Sequence, residues 1–578
     1  MFELPYYKLH GGCVMNYTER YQYWRSASLP DTVCAELDSI KDYTEELKSR
    51  FGSDLQFGTA GMRGIMGIGS NRLNRYTVRR AAQGMAAWLS STDLPQKAAI
   101  GYDSRHNSQL FAEVCAVAFA EKGIVTYLYD RLAPTPMLSY AVRELGCGCG
   151  IVISASHNAG AYNGIKCYGP DGCQMTDAPA AIVTAKISEI PYFQPETKSF
   201  AEYMNDGIIR YIGQKIWEKY YDTVLAEAVN PDCIRSAGLD IVYTPLCGTG
   251  NEPVREVLGR LGVNITVVKV QEQPDGDFKT CEYPNPETDA ALNESYNVAQ
   301  TAPCDLILGT DPDADRVAIA VPDGNGFRKL SGNELGCLLL DYILGARSKK
   351  NAIPEGAEAV RSIVTSPLSD RIAKSYGVDM KVVLTGFKYI GGEILELEKM
   401  GLQNRFVFGF EESCGYLKGT YARDKDAVVA SMLVCEMAAS LKLEGKTILD
   451  ALNALYQRFG YYLAHVQSIE LTGADAMEKA ATMMSSLRSD VPKTIGGAKV
   501  TAIRDYSTST HMDVASGNTM PIHLPKSNVL EFILETDGSV IARPSGTEPK
   551  VKFYYTAVGV TKESATEQLN AMIAQMSN

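Results

Sequence analysis

The sequence has no segment typical of a membrane or secreted protein. None of its apolar runs approaches the roughly 20 residues that a membrane-spanning helix needs, and residues 1–13 contain no signal-peptide core. Either Met1 or Met15 is expected to be the biological start. The 14 cysteines are scattered and lack the spacings of metal sites, which suits a reducing compartment. We therefore expect a cytoplasmic protein that does not bind membranes.

Positive charge and nucleotide-binding loops are also scarce. The chain has 68 acidic and 56 basic residues, a net charge of −12, which does not favour binding to nucleic acid. It has no Gly-x-x-x-x-Gly-Lys-Ser/Thr loop, which argues against a nucleotide-dependent kinase of that type. The glycine-rich stretch 64–69 is followed by Arg72, where a dinucleotide loop needs its last glycine. We expect neither a nucleic-acid partner nor a dinucleotide site.

What the sequence does have is a serine placed directly after an apolar run. Residues 150–153 lead into Ser154-Ala155-Ser156-His157-Asn158, and open α/β sheets bind ligands at such strand ends. A serine beside an imidazole, with Lys166 ten residues on, is typical of an activated nucleophile with an acid/base partner. The flanking residues do not form the Gly-x-Ser-x-Gly elbow of hydrolases. An ordinary strand-to-turn exit with a solvated serine remains the alternative.

A second apolar run, 304–310, ends in carboxylates at alternate positions. They are Asp311, Asp313 and Asp315. Three such charges repel one another unless a cation lies between them, and hard oxygen ligands suit Mg²⁺. A calcium-binding EF-hand would need glycine where Arg316 stands and glutamate where Pro322 stands. The loop therefore predicts a magnesium site, with a solvated acidic turn as the alternative.

A third motif, Arg543-Pro544-Ser545-Gly546-Thr547, lies near the carboxyl terminus. It combines an arginine fork, two hydroxyls and a glycine, which together suit a bound phosphate. The β-type runs on either side, 529–534 and 551–557, predict a rigid loop. The segment 244–250 also follows a strand, but no basic residue accompanies it, which favours a structural turn over a phosphate site.

In this order the three motifs resemble the α-D-phosphohexomutases, and within them the longer phosphoglucomutase and phosphopentomutase-like branch. The resemblance extends from about Tyr17 to the end of the chain. Further matches are 58–64, 101–105, 385–388 and 411–413. One departure is Ala159-Gly160, where many members have proline. We expect a slightly less stiff but chemically equivalent loop.

The resemblance implies a role for each motif residue. Ser156 would carry the phosphoryl group and, with Asp311, Asp313 and Asp315, hold the metal. Lys166 is the candidate general acid/base, and His157 is either a base or a residue that orients the loop or contacts phosphate. The cationic site residues also include Arg63, Arg105 and Arg316. Substrate would be bound by Thr385, Gly386, Lys388, Glu411, Ser413, Arg543, Ser545, Gly546 and Thr547, with Glu411 and Ser413 on the sugar hydroxyls.

The implied reaction is the interconversion of α-D-glucose 1-phosphate and glucose 6-phosphate through a phosphoserine enzyme. The implied cofactors are Mg²⁺ and glucose 1,6-bisphosphate, the latter as activator and intermediate, and the partners are small-molecule sugar phosphates. Phosphomannomutase or phosphopentomutase activity by the same mechanism is the near alternative. A metal-dependent sugar phosphatase, which would admit water to the phosphoserine, is the alternative from another class. A non-catalytic sensor is disfavoured because the nucleophile and metal ligands are all present.

The chain, at 578 residues, is too long for a single hydrophobic core. After a helical leader, apolar strand-like runs alternate with amphipathic helical stretches, and the last segment has several β-type runs and a closing helix. We predict an α/β fold of three similar domains with mixed sheets plus a C-terminal α+β domain. The resemblance implies that they surround a central cleft. The predicted domains are 1–212 with the leader and phosphoserine loop, 213–322 with the metal loop, 323–459 with the sugar-binding loop, and 460–578 with the phosphate-binding loop.

Overall fold

The computed structural model describes residues 15–58, 61–472, 476–545 and 550–576. These residues form two compact units. The first unit contains the chain up to Leu330 together with residues 391–403 and 415–440, and the second contains residues 331–390, 404–414 and those from 441 onward. No helix within the described ranges is long and apolar enough to cross a membrane.

The leader forms a small helical layer with an aromatic core. Its helices are α1 (Tyr17–Ser26), α2 (Asp31–Ile40) and α3 (Thr44–Phe51). Helix α1 begins with a capping box, because Asn16 Oδ1 accepts from Glu19 N at 3.0 Å and Glu19 Oε2 accepts from Asn16 N at 2.7 Å. Trp24 is fully buried and packs edge-on against Phe51 and Phe193. These contacts fix the leader on the first α/β domain.

The first α/β domain is built on a six-stranded mixed sheet. Its elements are β1 (Gly61–Ile65), α4 (Arg75–Leu89), β2 (Lys97–Tyr102), α5 (Ser108–Ala120), β3 (Val125–Tyr129), α6 (Thr135–Glu144), β4 (Cys149–Ile153), β5 (Tyr162–Tyr168), α7 (Asp177–Ser188), α8 (Phe200–Asn205) and β6 (Ile209–Ile212). The strand order is β1-β5-β4-β2-β3-β6, with β5 antiparallel to β1 and β4 and the other neighbours parallel. Every residue of β4 is buried, as expected for a central strand.

The second α/β domain, also in the first unit, has a five-stranded mixed sheet. Its elements are α9 (Gln214–Ala226), α10 (Asp232–Ala237), β7 (Asp240–Thr244), α11 (Asn251–Leu261), β8 (Asn264–Val267), α12 (Asp289–Ala299), β9 (Leu306–Thr310), β10 (Val317–Asp323) and β11 (Gly326–Lys329). The order is β11-β10-β9-β7-β8. Because Thr310 pairs with Val317 across antiparallel β9 and β10, residues 311–316 form the tight loop between these strands.

The remaining elements complete a third α/β segment and a distinct C-terminal part. They are α13 (Gly332–Lys349), β12 (Glu358–Ser362), α14 (Leu368–Ser375), β13 (Asp379–Val383), α15 (Phe387–Lys399), β14 (Phe406–Glu411), β15 (Gly415–Leu417), α16 (Ala427–Leu443), α17 (Ile448–Phe459), β16 (Tyr461–Glu470), α18 (Ala476–Ser489), β17 (Thr494–Ile495), β18 (Ala498–Asp505), β19 (Thr510–Asp513), β20 (Thr519–Pro521), β21 (Leu530–Leu534), β22 (Ser539–Pro544), β23 (Lys550–Gly559) and α19 (Lys562–Met576). Strand β12 pairs in parallel with β13 and β14. The C-terminal sheet is antiparallel, in the order β16-β23-β22-β21-β18-β19-β20.

The predicted fold class is confirmed: α/β domains with mixed sheets are followed by an antiparallel α+β part. The domain boundaries stay predictions. Strand β10 continues to Asp323 and pairs with β11, so the second sheet extends past the boundary drawn after residue 322.

Candidate active site

The Ser156 loop joins the buried strand β4 to β5. Ser156 has a φ of +52°, a left-handed conformation that costs a residue with a Cβ about 1–2 kcal/mol. Its backbone N–H donates to Ser154 Oγ at 2.8 Å, and the residue is 3% exposed. A strained conformation of this kind persists only when its surroundings hold it in place.

The Ser156 hydroxyl faces the carboxylate loop of the second domain. Its Oγ donates to Asp311 Oδ2 at 2.9 Å and lies 3.2 Å from His157 Nδ1. Burial lowers the pKa of His157 well below its ordinary value, and the positive charges of Arg316 and Arg63 lower it further. The imidazole beside the serine is therefore neutral at physiological pH.

The three carboxylates converge as the sequence predicted. One oxygen from each of Asp311, Asp313 and Asp315 lies within 4.8 Å of the others, and all three residues are buried. Within the described chain, Asp313 Oδ1 and Asp315 Oδ1 have no hydrogen-bond partner. Buried carboxylate oxygens without a hydrogen bond are costly, and a cluster of hard oxygens is a suitable donor set for Mg²⁺. The residues therefore fit a divalent cation.

The pKa values of the three carboxyl groups also show that nearby positive charge stabilises this cluster. Burial raises the pKa of Asp311 well above its ordinary value, and the carboxylates of Asp315 and Asp313 raise it further. Burial would raise the pKa of Asp315 too, but Lys166, Lys425 and Arg316 outweigh it and the pKa is lowered. The ionised form of Asp315 is therefore favoured by its cationic neighbours, whereas the ionised form of Asp311 is disfavoured without further positive charge.

Two lysines supply part of that charge. Lys166, on β5 opposite Val152 of β4, places its Nζ 2.5 Å from Asp313 Oδ2 and 3.0 Å from Asp315 Oδ2. Lys425 Nζ lies 3.2 Å from Asp315 Oδ2. Burial would lower the pKa of Lys166, but Asp313 and Asp315 outweigh it and the pKa is raised. The sequence singled out Lys166 but not Lys425, which lies 110 positions from Asp315 and belongs to no motif.

Arg105 fixes the course of the serine loop. Its guanidinium donates to four backbone carbonyls of this loop, those of Ser156 (2.6 Å), Asn158 (2.5 Å), Ala159 (2.9 Å) and Tyr162 (3.0 Å). Arg105 Nε also lies 3.2 Å from Asp103 Oδ2. Arg63, from β1, donates to Asn158 Oδ1 at 2.8 Å. Two of the predicted cationic residues therefore bind the serine loop.

The carboxylate loop, residues 311–316, is also held by residues that the motifs did not include. Thr135, the first residue of α6, donates from its hydroxyl to Asp313 Oδ2 at 2.8 Å and from its N–H to Asp313 O at 2.9 Å. Arg316, from within the motif, pairs with Glu287 at 2.5 Å. The segment 244–250 packs against this loop, because a Cβ added to Gly248 would lie 2.4 Å from Pro312 Cα. This contact supports the structural turn expected there.

In the second unit, the predicted sugar-binding residues come together at the end of β14. Glu411 Oε1 accepts from Gly386 N at 2.7 Å, and Gly386 has a φ of +122° that favours glycine. Ser413 follows Glu411 closely in the chain and is half-buried. The Thr365 hydroxyl donates to Glu412 Oε2 and accepts from the backbone N–H of Glu412, each at 3.2 Å. The sequence motifs did not indicate that Thr365 holds Glu412.

The phosphate motif also lies in the second unit. Arg543 is near the end of β22, and Ser545 N donates to Lys550 O at 2.8 Å. The other two predicted residues, Gly546 and Thr547, lie outside the described residues. Burial raises the pKa of Tyr554, Glu412 adds to this rise, and Arg543 opposes it. Tyr554 thus interacts electrostatically with Arg543 of one motif and with Glu412, which lies between Glu411 and Ser413 of the other.

Comparison with known proteins places this geometry in a defined class. The chain matches four successive Phosphoglucomutase/phosphomannomutase domains, alpha/beta/alpha domains I, II and III over residues 54–192, 218–324 and 331–459, and the C-terminal domain over 493–575. Fold and site thus define an α-D-phosphohexomutase, an enzyme class of intramolecular phosphotransferases. The chain belongs to the phosphoglucomutase/phosphomannomutase family, as the resemblance predicted.

Individual relatives agree with this assignment. A phosphoglucomutase of Staphylococcus aureus strain bovine RF122 / ET3-1 is 37% identical over 541 residues, covering 91% of this chain and 94% of the relative. That of strain MSSA476 is 36% identical over the same coverage. Among solved structures, a putative phosphomannomutase of Thermus thermophilus has a TM-score of 0.67 at 20% identity, covering 91% and 98% of the two chains. The pp63/parafusin phosphoglucomutase of Paramecium has a TM-score of 0.68 at 16% identity, covering 91% and 94%.

Proposed function

We propose that the protein is a phosphoglucomutase, which interconverts α-D-glucose 1-phosphate and glucose 6-phosphate through phosphorylated Ser156 and glucose 1,6-bisphosphate. The main support is the hydrogen bond from the buried Ser156 hydroxyl to Asp311, at 2.9 Å, within a cluster of three carboxylates. The 36–37% identity to S. aureus phosphoglucomutases supports glucose phosphate as the substrate.

Asp311, Asp313 and Asp315 would hold Mg²⁺ together with the phosphoryl group on Ser156. When bound, Mg²⁺ neutralises charge that develops on a transferring phosphoryl group. An Aspergillus fumigatus N-acetylphosphoglucosamine mutase, solved as a complex with GlcNAc-6P and magnesium, shares the fold at a TM-score of 0.51 and 14% identity. The oxygens of Asp313 and Asp315 that accept no hydrogen bond within the described chain support the same ion in this protein.

The transfer itself would be carried out by residues of the first unit. The bond between Ser156 Oγ and phosphorus breaks as a sugar hydroxyl oxygen bonds to phosphorus, and the second half-reaction reverses these roles. Lys166, whose raised pKa keeps it protonated at rest, would give a proton to Ser156 Oγ as the bond to phosphorus breaks and take up the proton that the sugar hydroxyl loses. Neutral His157 would orient the serine hydroxyl through its Nδ1. Arg63 would contact the phosphoryl group.

In the second unit, the proposed roles are those of substrate binding. Glu411 and Ser413 would bind sugar hydroxyls, with Thr385, Gly386 and Lys388 beside them. The phosphate that does not react would be held by Arg543, Ser545, Gly546 and Thr547. The fixed position of Glu411 against the Gly386 N–H, at 2.7 Å, supports a preorganised sugar site.

A coupled assay with Mg²⁺ and a bisphosphate activator tests the substrate. Glucose, mannose, ribose and deoxyribose 1-phosphates would be compared by kcat/KM, with inorganic phosphate release measured in parallel. We expect the highest kcat/KM for glucose 1-phosphate. A higher value for mannose or a pentose would reassign the substrate. Phosphate release without isomerised product would identify a phosphatase instead.

A further inference from the structure

A turn of the second domain, residues 275–278, has an unusual conformation close to the serine loop. Phe278 has a φ of +49° and is 2% exposed. A bulky residue rarely adopts this left-handed conformation, and such outliers persist where neighbouring contacts impose them. Within the turn, Asp277 N donates to Asp275 Oδ1 at 3.0 Å, and Phe278 N donates to Asp275 O at 3.2 Å. These hydrogen bonds hold the backbone of the turn from which the phenyl ring projects.

The ring of Phe278 lies against Arg105. The guanidinium carbon is 5.0 Å from the ring centroid, within the range of a cation–π contact. The four carbonyls that Arg105 binds are all in the serine loop, between Ser156 and Tyr162. Because the ring excludes water from one side of the guanidinium, it favours these hydrogen bonds over competing hydration.

The turn also touches the serine loop and its neighbours directly. A Cβ added to Gly160 would lie 2.7 Å from Gly276 O, so this position of the loop admits only glycine without displacing the turn. A Cβ added to Gly276 would lie 2.7 Å from His106 N. Asp277 Oδ1 is 2.6 Å from His106 Nε2. The close backbone contact between these two domains of the same unit thus lies at Gly160, directly after Ala159, the residue that follows Ser-His-Asn.

We propose that the 275–278 turn is a positioning element for phosphoryl transfer. It acts through Arg105 and Gly160 to keep the loop in the conformation that points Ser156 Oγ toward Asp311. This inference rests on the proposed function of Ser156, and it assigns Phe278 a role in the rate of transfer rather than in substrate binding. Small misplacements of a reacting group lower rates strongly, so the effect should appear in kcat and leave KM nearly unchanged.

Phe278→Leu tests the proposal, with Phe327→Leu as the matched control. Phe327 is an aromatic residue of the same domain that stacks on Tyr296, at 6.0 Å between centroids. We expect Phe278→Leu to lower kcat roughly ten- to a hundredfold with KM for glucose 1-phosphate within about twofold. Amide hydrogen exchange of residues 154–162 should become faster in this variant and stay unchanged in the control.

Gly160→Ala tests the same contact from the serine loop, should Phe278→Leu fail to fold. It should also lower kcat and accelerate exchange in residues 154–162. Equal kcat values for Phe278→Leu, Phe327→Leu and the unchanged protein, or an unchanged exchange rate of the loop, would overturn the proposal. Hydrogen exchange is measured without substrate. If the unchanged protein had no mutase activity, the proposed function would be contradicted. Faster exchange of residues 154–162 in the variants would then still show that the turn holds the loop.

Discussion

Thr135 binds Asp313 through both its hydroxyl and its backbone N–H, at 2.8 and 2.9 Å. The two residues are 178 positions apart and lie in different α/β domains. Thr135 is fully buried and begins helix α6, so its position is set by the first domain. The orientation of a metal-loop carboxylate in the second domain therefore depends on a helix of the first.

Thr135→Val should weaken Mg²⁺ binding because the orienting hydroxyl is lost while the shape is kept. Removal of a residue that orients a metal ligand typically lowers affinity about tenfold or more. Titration of activity with Mg²⁺ and calorimetric titration of the protein measure this. Thr126→Val is the control, since Thr126 is also buried in the first domain but its hydroxyl binds Ile124 O. Equal Mg²⁺ affinities for both variants would contradict the role of Thr135.

Ser156→Ala should lower mutase activity by about a thousandfold or more, because a phosphoryl carrier has no substitute in a two-step relay. The fold should remain intact, since only a hydroxyl is removed. Mass spectrometry of the unchanged protein should find a phosphopeptide that contains Ser156. Ser188→Ala, at the end of helix α7, should keep full activity. Wild-type-like turnover by Ser156→Ala would refute the assignment.

Asp313→Asn should raise the Mg²⁺ concentration needed for half-maximal activity and lower kcat, because one anionic ligand is lost. Chelators should abolish the activity of the unchanged protein. The matched variant Asp323→Asn removes an exposed carboxylate from the end of β10 and should have no effect on either quantity. If neither Asp313→Asn nor chelators changed the activity, the carboxylate cluster would be a structural turn and not a metal site.

Arg543→Lys should raise KM for both glucose 1-phosphate and glucose 6-phosphate roughly tenfold, because lysine keeps the charge but loses the bidentate fork. Both directions should be affected, since the same loop would bind the idle phosphate in either sugar orientation. Arg488→Lys is the control in the same C-terminal part, where the arginine binds Asp505 at 2.9 Å. An unchanged KM for both substrates would move the phosphate site elsewhere, first to Arg63 or Lys388.

The parts of the site that lie within one motif could be predicted from the sequence. Alternating aspartates after a buried strand can converge on one side of a tight loop between paired strands, and in this structure they do. Ser156 could be predicted as a site residue because it follows a buried strand, and the carboxyl ends of such strands are where α/β sheets bind ligands. Lys166 could be named through the family motif, and β-pairing with β4 then explains its placement.

The supporting contacts could not be predicted, since they join residues far apart in the chain. Arg105 and the Ser156 carbonyl are separated by 51 positions, and nothing in the sequence marks which carbonyls an arginine will bind. The contact between Thr135 and Asp313 depends on how the two domains pack. Phe278 looks like an ordinary core residue in sequence, and only its backbone angle of +49° distinguishes it.

The left-handed backbone of Ser156, with φ at +52°, also bears on which amino acid could serve as the proposed phosphoryl carrier. Threonine has the same nucleophilic hydroxyl, but β-branched residues strongly disfavour this region of conformational space. A threonine at position 156 would have to leave the conformation in which its oxygen faces Asp311. The backbone geometry of this loop therefore favours serine over threonine at position 156, although both side chains carry a hydroxyl.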